Sequence, residues 1–93
     1  MSNYVQQATT LLAERLPDCD ADLLALYALL ALTLGEETQL RDVHDAWAVW
    51  RNATNPAHKS LVPFVVLTPE VQELDRKYMD AIREVGRMVA PHV

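Results

Sequence analysis

The stretch LLALYALLALTL, Leu23–Leu34, is apolar on every face that a helix would present. A helix without a polar stripe has to be covered by other elements on several sides. The stretch therefore predicts an all-α bundle with this helix in its middle. Asp20 or Asp22 can cap its first turn, and Gly35 can end it.

Three further helices follow from the same kind of pattern. In the first helix, apolar residues recur at steps of three and four. We expect Thr38 to cap a third helix that runs to about Asn52. Thr68 as cap and Pro69 in the first turn start a fourth helix, which ends near Pro91. The apolar positions of the first helix are Tyr4, Ala8, Leu11, Leu12 and Leu16.

The segment LVPFVVL, Leu61–Leu67, joins the third helix to the fourth. We expect extended chain that crosses the surface here, because Pro63 disfavours helical backbone in the residue before it. The predicted fold is a small four-helix all-α domain with an extended, proline-containing connection between helices 3 and 4. A chain of 93 residues has room for one core, so residues 1–93 are expected to form a single domain.

The composition limits which binding partners and which cellular compartment are expected. A formal net charge of −5 disfavours broad binding to nucleic acids or anionic membranes, since both need clustered cations. The apolar run Leu23–Leu32 is shorter than the ~20 residues of a membrane span. Cys19 is the one cysteine, so no internal disulfide can form, and the first residues lack a secretory pattern. We expect a cytoplasmic protein without a nucleic-acid or membrane partner.

The most informative polar cluster is DVHDAWAVWR, Asp42–Arg51, in the predicted third helix. His44, Trp47 and Arg51 lie at i, i+3 and i+7, so they share one helix face. An indole that stacks on a base, beside a guanidinium that binds a phosphate, is typical of a nucleotide pocket. Ordinary packing is the alternative, with Trp47 in the core, His44 bonded to a backbone carbonyl, and Arg51 reaching water over apolar surface. Both interpretations are open at this point.

Several blocks of the chain resemble the ryanodine-receptor repeat domain, the RyR domain. VHDAWAVWR, then HKSLVPF, then Leu67 and the ELDR of Glu73–Arg76 are similar to ordered blocks of that family. These blocks read Val-His-x-x-Trp-Ala-x-x-Arg, His-x-x-Leu-Val-Pro-Tyr, and a leucine followed by Asp-Arg. The likeness covers roughly residues 40–90. The chain also resembles short proteins of actinobacteria and their phages.

The resemblance implies a non-enzymatic module that recognises or sequesters a nucleotide-derived signalling molecule in bacterial or phage immunity. For a phage protein, the compartment would be the cytoplasm of the bacterial host. Asp75 is expected to hold Arg76 in place, because a carboxylate facing a phosphate would repel it. The family carries a longer loop between Arg51 and His58, so contacts made by that loop are not carried over. The six expected ligand-binding residues are His44, Trp47, Arg51, His58, Arg76 and Tyr78.

The sequence disfavours other chemistry. His44, His58, His92 and Cys19 lack the short paired spacing of a zinc site. The chain contains no glycine-rich phosphate loop, nucleophile elbow or His-Glu-x-x-His motif. Carboxylates on both sides of Cys19 should raise the pKa of its thiol and make it a poor nucleophile. We therefore expect no enzyme activity, no metal and no cofactor.

The predicted fourth helix suggests self-association. Ile82 and Val89 make its apolar stripe broader than a contact within one chain requires, so we expect a homodimer. Polar pairs, Glu73 with Lys77 and Asp80 with Arg83, are expected on its other faces. The alternative function is accordingly a helical interaction or oligomerisation module without a small-molecule ligand. The stripe consists of Val71, Leu74, Tyr78, Ala81, Val85 and Met88.

Overall fold

The computed structural model describes residues 3–89 and confirms the predicted all-α fold; the predicted helix end at Pro91 lies outside them, as does His92. The described residues contain no β-strand. None of the helices in this part of the chain is both long and apolar enough to span a bilayer. The α-helices are α1 (Tyr4–Arg15), α2 (Ala21–Thr33), α3 (Leu40–Thr54), α4 (Pro69–Glu73) and α5 (Arg76–Val89), with turns of 3-10 helix at Gly35–Glu37 and Phe64–Val66.

Side chains just before α1 and α2 cap their first turns. Asn3 accepts a hydrogen bond from the Gln6 backbone N–H over 2.9 Å, and the Gln6 side chain accepts from the Asn3 N–H over 3.2 Å. This reciprocal pair is a capping box. At α2 the cap is Asp20, whose carboxylate accepts from the backbone N–H groups of Asp22 and Leu23. Of the two aspartates that the sequence offered, Asp20 therefore starts the helix.

Helix α2 lies at the centre of the bundle, as its composition predicts, and packs against α1, α3 and α5. Tyr27 is its largest fully buried side chain. One face nevertheless remains open, because Leu29 is 55 % exposed and Tyr4 of α1, at 61 %, lies beside it in the same shallow groove. The placement of Tyr4 on the buried side of α1 was wrong. Ala8, Leu12 and Leu16 form the buried side of this segment.

The start of α3 differs from the prediction, because Thr38 is not its cap. Gln39 has the extended backbone of a cap residue, and its N–H donates to the Asp42 carboxylate over 2.8 Å. Thr38 is fully buried, and its hydroxyl donates to the Gly35 carbonyl over 2.8 Å. The Thr38 carbonyl in turn accepts from Nε of Arg83 over 2.7 Å. Thr38 thus joins the 3-10 turn before α3 to α5.

The connection between α3 and α4 is only partly extended. Pro63 has extended backbone angles, but the next three residues, Phe64–Val66, form one turn of 3-10 helix. Two hydrogen bonds close this turn, from Val66 N–H to the Pro63 carbonyl and from Leu67 N–H to the Phe64 carbonyl. The expectation of extended chain over the whole segment was therefore wrong. Proline restricts the residue before it, and it leaves the residues after it free to turn.

The predicted fourth helix starts as expected and is then interrupted. Thr68 accepts from the Val71 N–H, and Pro69 occupies the first turn of α4. At Leu74 the backbone N–H bonds to the Val71 carbonyl three residues back, instead of four, which ends α4. Helix α5 begins two residues later, at Arg76.

Most of the apolar stripe that predicted a dimer is buried in the core of the single chain. Ile82 and Val85 are fully buried and Val89 nearly so, all in the core of the single chain. Two members of the stripe are exposed: Leu74, near its start, and Met88, at its end. Ile82 and Val89 are therefore explained by internal packing, and this stripe offers no broad surface to a second copy.

A backbone contact joins α5 to the turn after α2. Gly35 has a φ of +55°, the left-handed conformation that suits the residue following a helix. A Cβ atom built on Gly86 would lie 2.6 Å from the Gly35 Cα and 3.3 Å from the Ala31 carbonyl oxygen. Only a glycine at position 86 allows α5 to pack this closely against the backbone of Gly35 and Ala31.

We expect Gly86→Ala to destabilise the domain. Inside a helix, alanine is about 1 kcal/mol more favourable than glycine. Overpacking against rigid backbone, however, costs about 1–3 kcal/mol. The clash at 2.6 Å is with backbone that cannot rotate away, so the cost of overpacking should exceed the gain in helix propensity. Urea unfolding should show a lower midpoint for Gly86→Ala, while Arg87→Ala, at the next and exposed position, should change it little. A gain in stability from Gly86→Ala would contradict the contact.

Candidate functional site

A cleft of about 890 Å³ opens between the start of α2, the inner face of α3, the α3–α4 connection and the junction of α4 with α5. Aromatic rings and charged groups share its walls. Its lining residues are Asp18, Cys19, Asp20, Leu23, Tyr27, His44, Trp47, Trp50, Arg51, His58, Ser60, Val71, Glu73, Leu74, Asp75, Lys77 and Tyr78.

The cleft contains most of the residues that the sequence predicted for a site. His44, Trp47 and Arg51 all line it from α3, as their shared helix face requires. His58 reaches it from the connection and Tyr78 from α5. Arg76, the sixth predicted residue, does not line it.

Arg76 is held on another face of the domain by Glu73. Its Nε and Nη2 donate to the two carboxylate oxygens over 2.6 and 3.0 Å, and both side chains are exposed. This bidentate bond lowers the pKa of Glu73. The predicted partnership of Asp75 with Arg76 is therefore wrong, and so is the predicted pair of Glu73 with Lys77. In helical backbone, side chains three residues apart face each other and adjacent ones do not, so the spacing favours Glu73 over Asp75 as the partner of Arg76.

His44 connects α3 to the segment that covers it. The ring is 3 % exposed, and its Nε2 lies 2.7 Å from the carbonyl oxygen of Val62. Because a carbonyl only accepts, Nε2 must carry the proton. The ring also stacks on Trp47, with centroids 5.6 Å apart, and lies 6.1 Å from Phe64. For His44, the packing interpretation of the cluster is the one that the structure shows.

Trp47 and His58 form a corner of the cleft. Their rings meet edge to face with centroids 5.2 Å apart. The backbone N–H of Ser60 donates to Nδ1 of His58 over 3.0 Å, which fixes the orientation of the imidazole. Because His58 belongs to the α3–α4 connection, its contact with Trp47 packs that connection against the indole.

Among residues 3–89, no carboxylate forms a salt bridge with the guanidinium of Arg51. Its Cζ lies 4.5 Å from the centre of the Trp50 ring and 5.9 Å from that of Trp47, so the group rests on two indoles. Its Nε is buried and finds no hydrogen-bond partner within residues 3–89. A buried donor without an acceptor costs about 1–3 kcal/mol. Arg51 as a whole is half-buried and lines the cleft, so an anionic group bound there can meet the rest of its guanidinium.

Tyr27 and Asp75 belong to the cleft although the sequence did not assign them to it. Tyr27 is 1 % exposed, and its ring lies 5.7 Å from that of Tyr78. Burial, and then the nearby carboxylate of Asp75, raise the pKa of Tyr27. The available signal was a phenol in the middle of an apolar helix, since a buried phenol usually finds a polar neighbour.

Asp75 is a partly buried carboxyl that faces the cleft. Burial raises its pKa, and the positive charge of His44 partly opposes that effect. On the opposite wall, burial followed by the charge of Asp20 raises the pKa of the Cys19 thiol. The predicted direction for Cys19 is therefore confirmed, although burial is its first cause. Within residues 3–89, no three His, Cys, Asp or Glu side chains come together as a metal site requires.

We expect Asp75→Asn to stabilise the domain at neutral pH. A raised pKa means that the folded state binds the proton more tightly, so the ionised carboxyl costs stability above the folded pKa. Removing the charge should raise the free energy of unfolding by about 0.5 kcal/mol and the melting temperature by ~2–4 °C at pH 7. The gain should be smaller at pH 4, because more of the native carboxyl is then protonated than at pH 7 and less charge is left to remove.

Thermal melts at both pH values test this expectation. Asp45→Asn, which changes an exposed carboxyl on α3 outside the cleft, is the matched control and should show a smaller gain at pH 7. Equal gains from both variants, or a loss from Asp75→Asn, would show that burial does not penalise the Asp75 charge.

Comparison with known proteins gives one family match. The family model described as Domain of unknown function (DUF7701) covers residues 3–87, which is nearly the whole described chain. No curated protein and no solved structure matches the sequence. The resemblance to the RyR domain was wrong, because the matching model is a different family and nothing indicates an RyR domain. Short blocks built around a helix face and a proline recur without common descent. The chain belongs to the DUF7701 family of domains of unknown function.

Proposed function

We propose that this domain is a small non-enzymatic module that binds a nucleotide-derived small molecule in the cleft. The unpartnered guanidinium of Arg51, resting on two indoles at the cleft wall, is the observation that carries the proposal. The RyR resemblance implied a setting in bacterial or phage immunity. That setting has lost its support and forms no part of the proposal.

The walls of the cleft suit a planar ring with an anionic group attached. Trp47 and Trp50 line the cleft and are only half-buried, so the parts of their rings that His44 and Arg51 leave uncovered offer aromatic surface to a base. Arg51 can fork two hydrogen bonds to a phosphate, and Lys77 adds a second positive charge. Tyr78 lies on the opposite wall, with the Lys77 ammonium 4.9 Å from its ring centre. A volume of about 890 Å³ falls within the range of small-molecule sites.

The polar groups of the cleft favour binding over catalysis. Nε2 of His44 is engaged with the Val62 carbonyl, and Nδ1 of His58 accepts from Ser60. The raised pKa of Cys19 keeps its thiol protonated, and a thiol is a weak nucleophile. We place the module in the reducing cytoplasm, where an unpaired cysteine is stable.

A thermal-shift panel of AMP, ADP-ribose, cyclic di-AMP and ATP tests the proposal. A compound at a hundred times its dissociation constant adds about 2.7 kcal/mol to the free energy of unfolding. At least one compound should therefore raise the melting temperature, by roughly 10 °C or more at that saturation for a domain of this size. The absence of any shift at millimolar concentrations would contradict the proposal.

Arg51→Met identifies the site in the same assay. Methionine keeps an apolar stem against Trp50 and removes the charged donors, so binding should weaken at least tenfold while the free protein stays folded. Arg87→Met, an exposed arginine on α5 that does not line the cleft, is the control and should bind normally. Unchanged affinity of Arg51→Met would place the ligand elsewhere.

We propose self-association as a second candidate function, through the open face of α1 and α2. Tyr4, Val5 and Leu29 are exposed there around a groove that has no charged side chain among its described lining residues. Two copies with a net charge of −5 each can meet at this groove without placing like charges in contact. This groove takes the place of the α5 stripe, which lies in the core.

Sedimentation velocity at tens of micromolar tests the homodimer. The wild-type chain should sediment as a dimer, and Leu29→Glu as a monomer, because a charge in the middle of an apolar interface is costly to bury. Val49→Glu changes another exposed apolar residue, on α3 outside the groove, and should remain dimeric. A monomeric wild-type chain would remove this candidate.

A further inference from the structure

Two histidines bond the α3–α4 connection, with opposite roles in their hydrogen bonds. Nε2 of His44 donates to the Val62 carbonyl over 2.7 Å. Nδ1 of His58 accepts from the backbone N–H of Ser60 over 3.0 Å. An imidazole nitrogen accepts a hydrogen bond only while it carries no proton. His58 is therefore neutral, with its proton on Nε2, whenever the Ser60 bond is present.

The two bonds respond differently to acid. Histidine gains its second ring proton between about pH 8 and pH 5. In a protonated His44, Nε2 still carries its proton, so the bond to Val62 is kept. In a protonated His58, Nδ1 becomes a donor that faces another donor, and the bond to Ser60 is lost. Of the two histidines, only His58 loses its bond to the connection on acidification.

The Ser60 bond fixes the part of the connection that contacts α3. With the bond in place, the His58 ring meets the Trp47 indole edge to face, with centroids 5.2 Å apart. The backbone turn around this ring is closed by a separate bond, from the Leu61 N–H to the His58 carbonyl over 3.1 Å, which does not involve the imidazole. Protonation should therefore release the ring and the Ser60 amide while the turn remains.

The charges of the cleft act on the released ring in one direction. The Arg51 guanidinium lies 5.9 Å from the centre of the same indole and repels a second cation there. Further positive charge comes from Lys77, from the exposed Lys59 next in sequence, and from His44 when it is protonated. The thiol and the phenols of the cleft stay uncharged below about pH 8. The carboxylates that attract an imidazolium into the cleft are Asp18, Asp20, Glu73 and Asp75.

We infer, resting on the proposed function, that His58 is a positioning residue whose neutral ring keeps the α3–α4 connection in place as a wall of the cleft, so that the site binds its ligand more weakly in acid than at neutral pH. The loss of one hydrogen bond corresponds to about a two- to tenfold change in affinity. The competing effect is direct attraction between the imidazolium and an anionic ligand, which would strengthen binding in acid.

His58→Asn separates these effects, because it removes the titration and keeps the acceptor. An asparagine side-chain oxygen accepts from the backbone N–H two residues further on. Calorimetry with AMP, ADP-ribose, cyclic di-AMP and ATP compares the two proteins at pH 7.5 and pH 5.5. For each compound that binds, the ratio of wild-type to variant affinity should fall about two- to tenfold at the lower pH. This ratio cancels the titration of the ligand itself. His58→Ala, which lacks the acceptor, should bind weakly at both pH values.

NMR of the free protein tests the wall without a ligand. The ¹⁵N shifts of His58 should show the Nε2–H form at pH 7.5, and the Ser60 amide proton should shift as Nδ1 takes up its proton. In His58→Asn the Ser60 amide should not shift over the same range. An Nδ1–H ring at pH 7.5, or a Ser60 amide that does not respond to the protonation, overturns the inference whichever compound binds.

The affinity measurements separate this inference from the proposed function. An unchanged or rising ratio at pH 5.5 overturns the inference while the binding function stands. The absence of binding by all four compounds overturns the proposed function, and the Ser60 amide then decides alone whether His58 holds the connection only while neutral.

Discussion

One hydrogen bond, from the His44 imidazole to the Val62 carbonyl, fixes the segment on which the cleft depends. The bond is 2.7 Å long and its donor ring is nearly fully buried. Without it, a buried N–H and a backbone carbonyl would both lose their partner, at a cost of about 1–3 kcal/mol each. The same bond holds the α3–α4 connection against α3, so that His58 and Ser60 can form a wall. His44 therefore packs in the interior and also shapes the cleft that it lines.

The cleft contains two groups whose surroundings lower the stability of the folded state. Asp75 is a carboxyl whose burial raises its pKa, and Arg51 has a buried Nε without an acceptor among residues 3–89. The rest of the described chain is capped and packed in the ordinary way, with Asn3, Asp20 and Thr68 closing helix starts. Local conflicts of this kind are expected at functional sites, where a bound molecule supplies the missing partner.

The sequence predicted what depends on local pattern. The central position of α2, the caps at Asp20 and Thr68, and the shared face of His44, Trp47 and Arg51 follow from periodicity and backbone chemistry. Two choices between near neighbours were missed. The α3 cap moves from Thr38 to Gln39, because contacts with Gly35 and Arg83 occupy Thr38. Arg76 bonds Glu73, three residues back, instead of the adjacent Asp75, a choice that helical spacing itself favours. Tyr27 and Asp75, two of the cleft residues that were not foreseen, lie on α2 and in the turn between α4 and α5, which only the folded chain brings together.

The backbone contact between Gly35 and Gly86 has a mechanical consequence for the opposite end of α5. Tyr78 lies eight residues before Gly86, a distance of about 12 Å along the helix axis. With the glycine pair as pivot, a tilt of α5 by about 10° displaces Tyr78 by about 2 Å. Tyr78 lines one wall of the cleft, so a tilt of α5 about the glycine contact would change the width of the cleft and would also disturb the buried Met79 and Ile82 on the same helix.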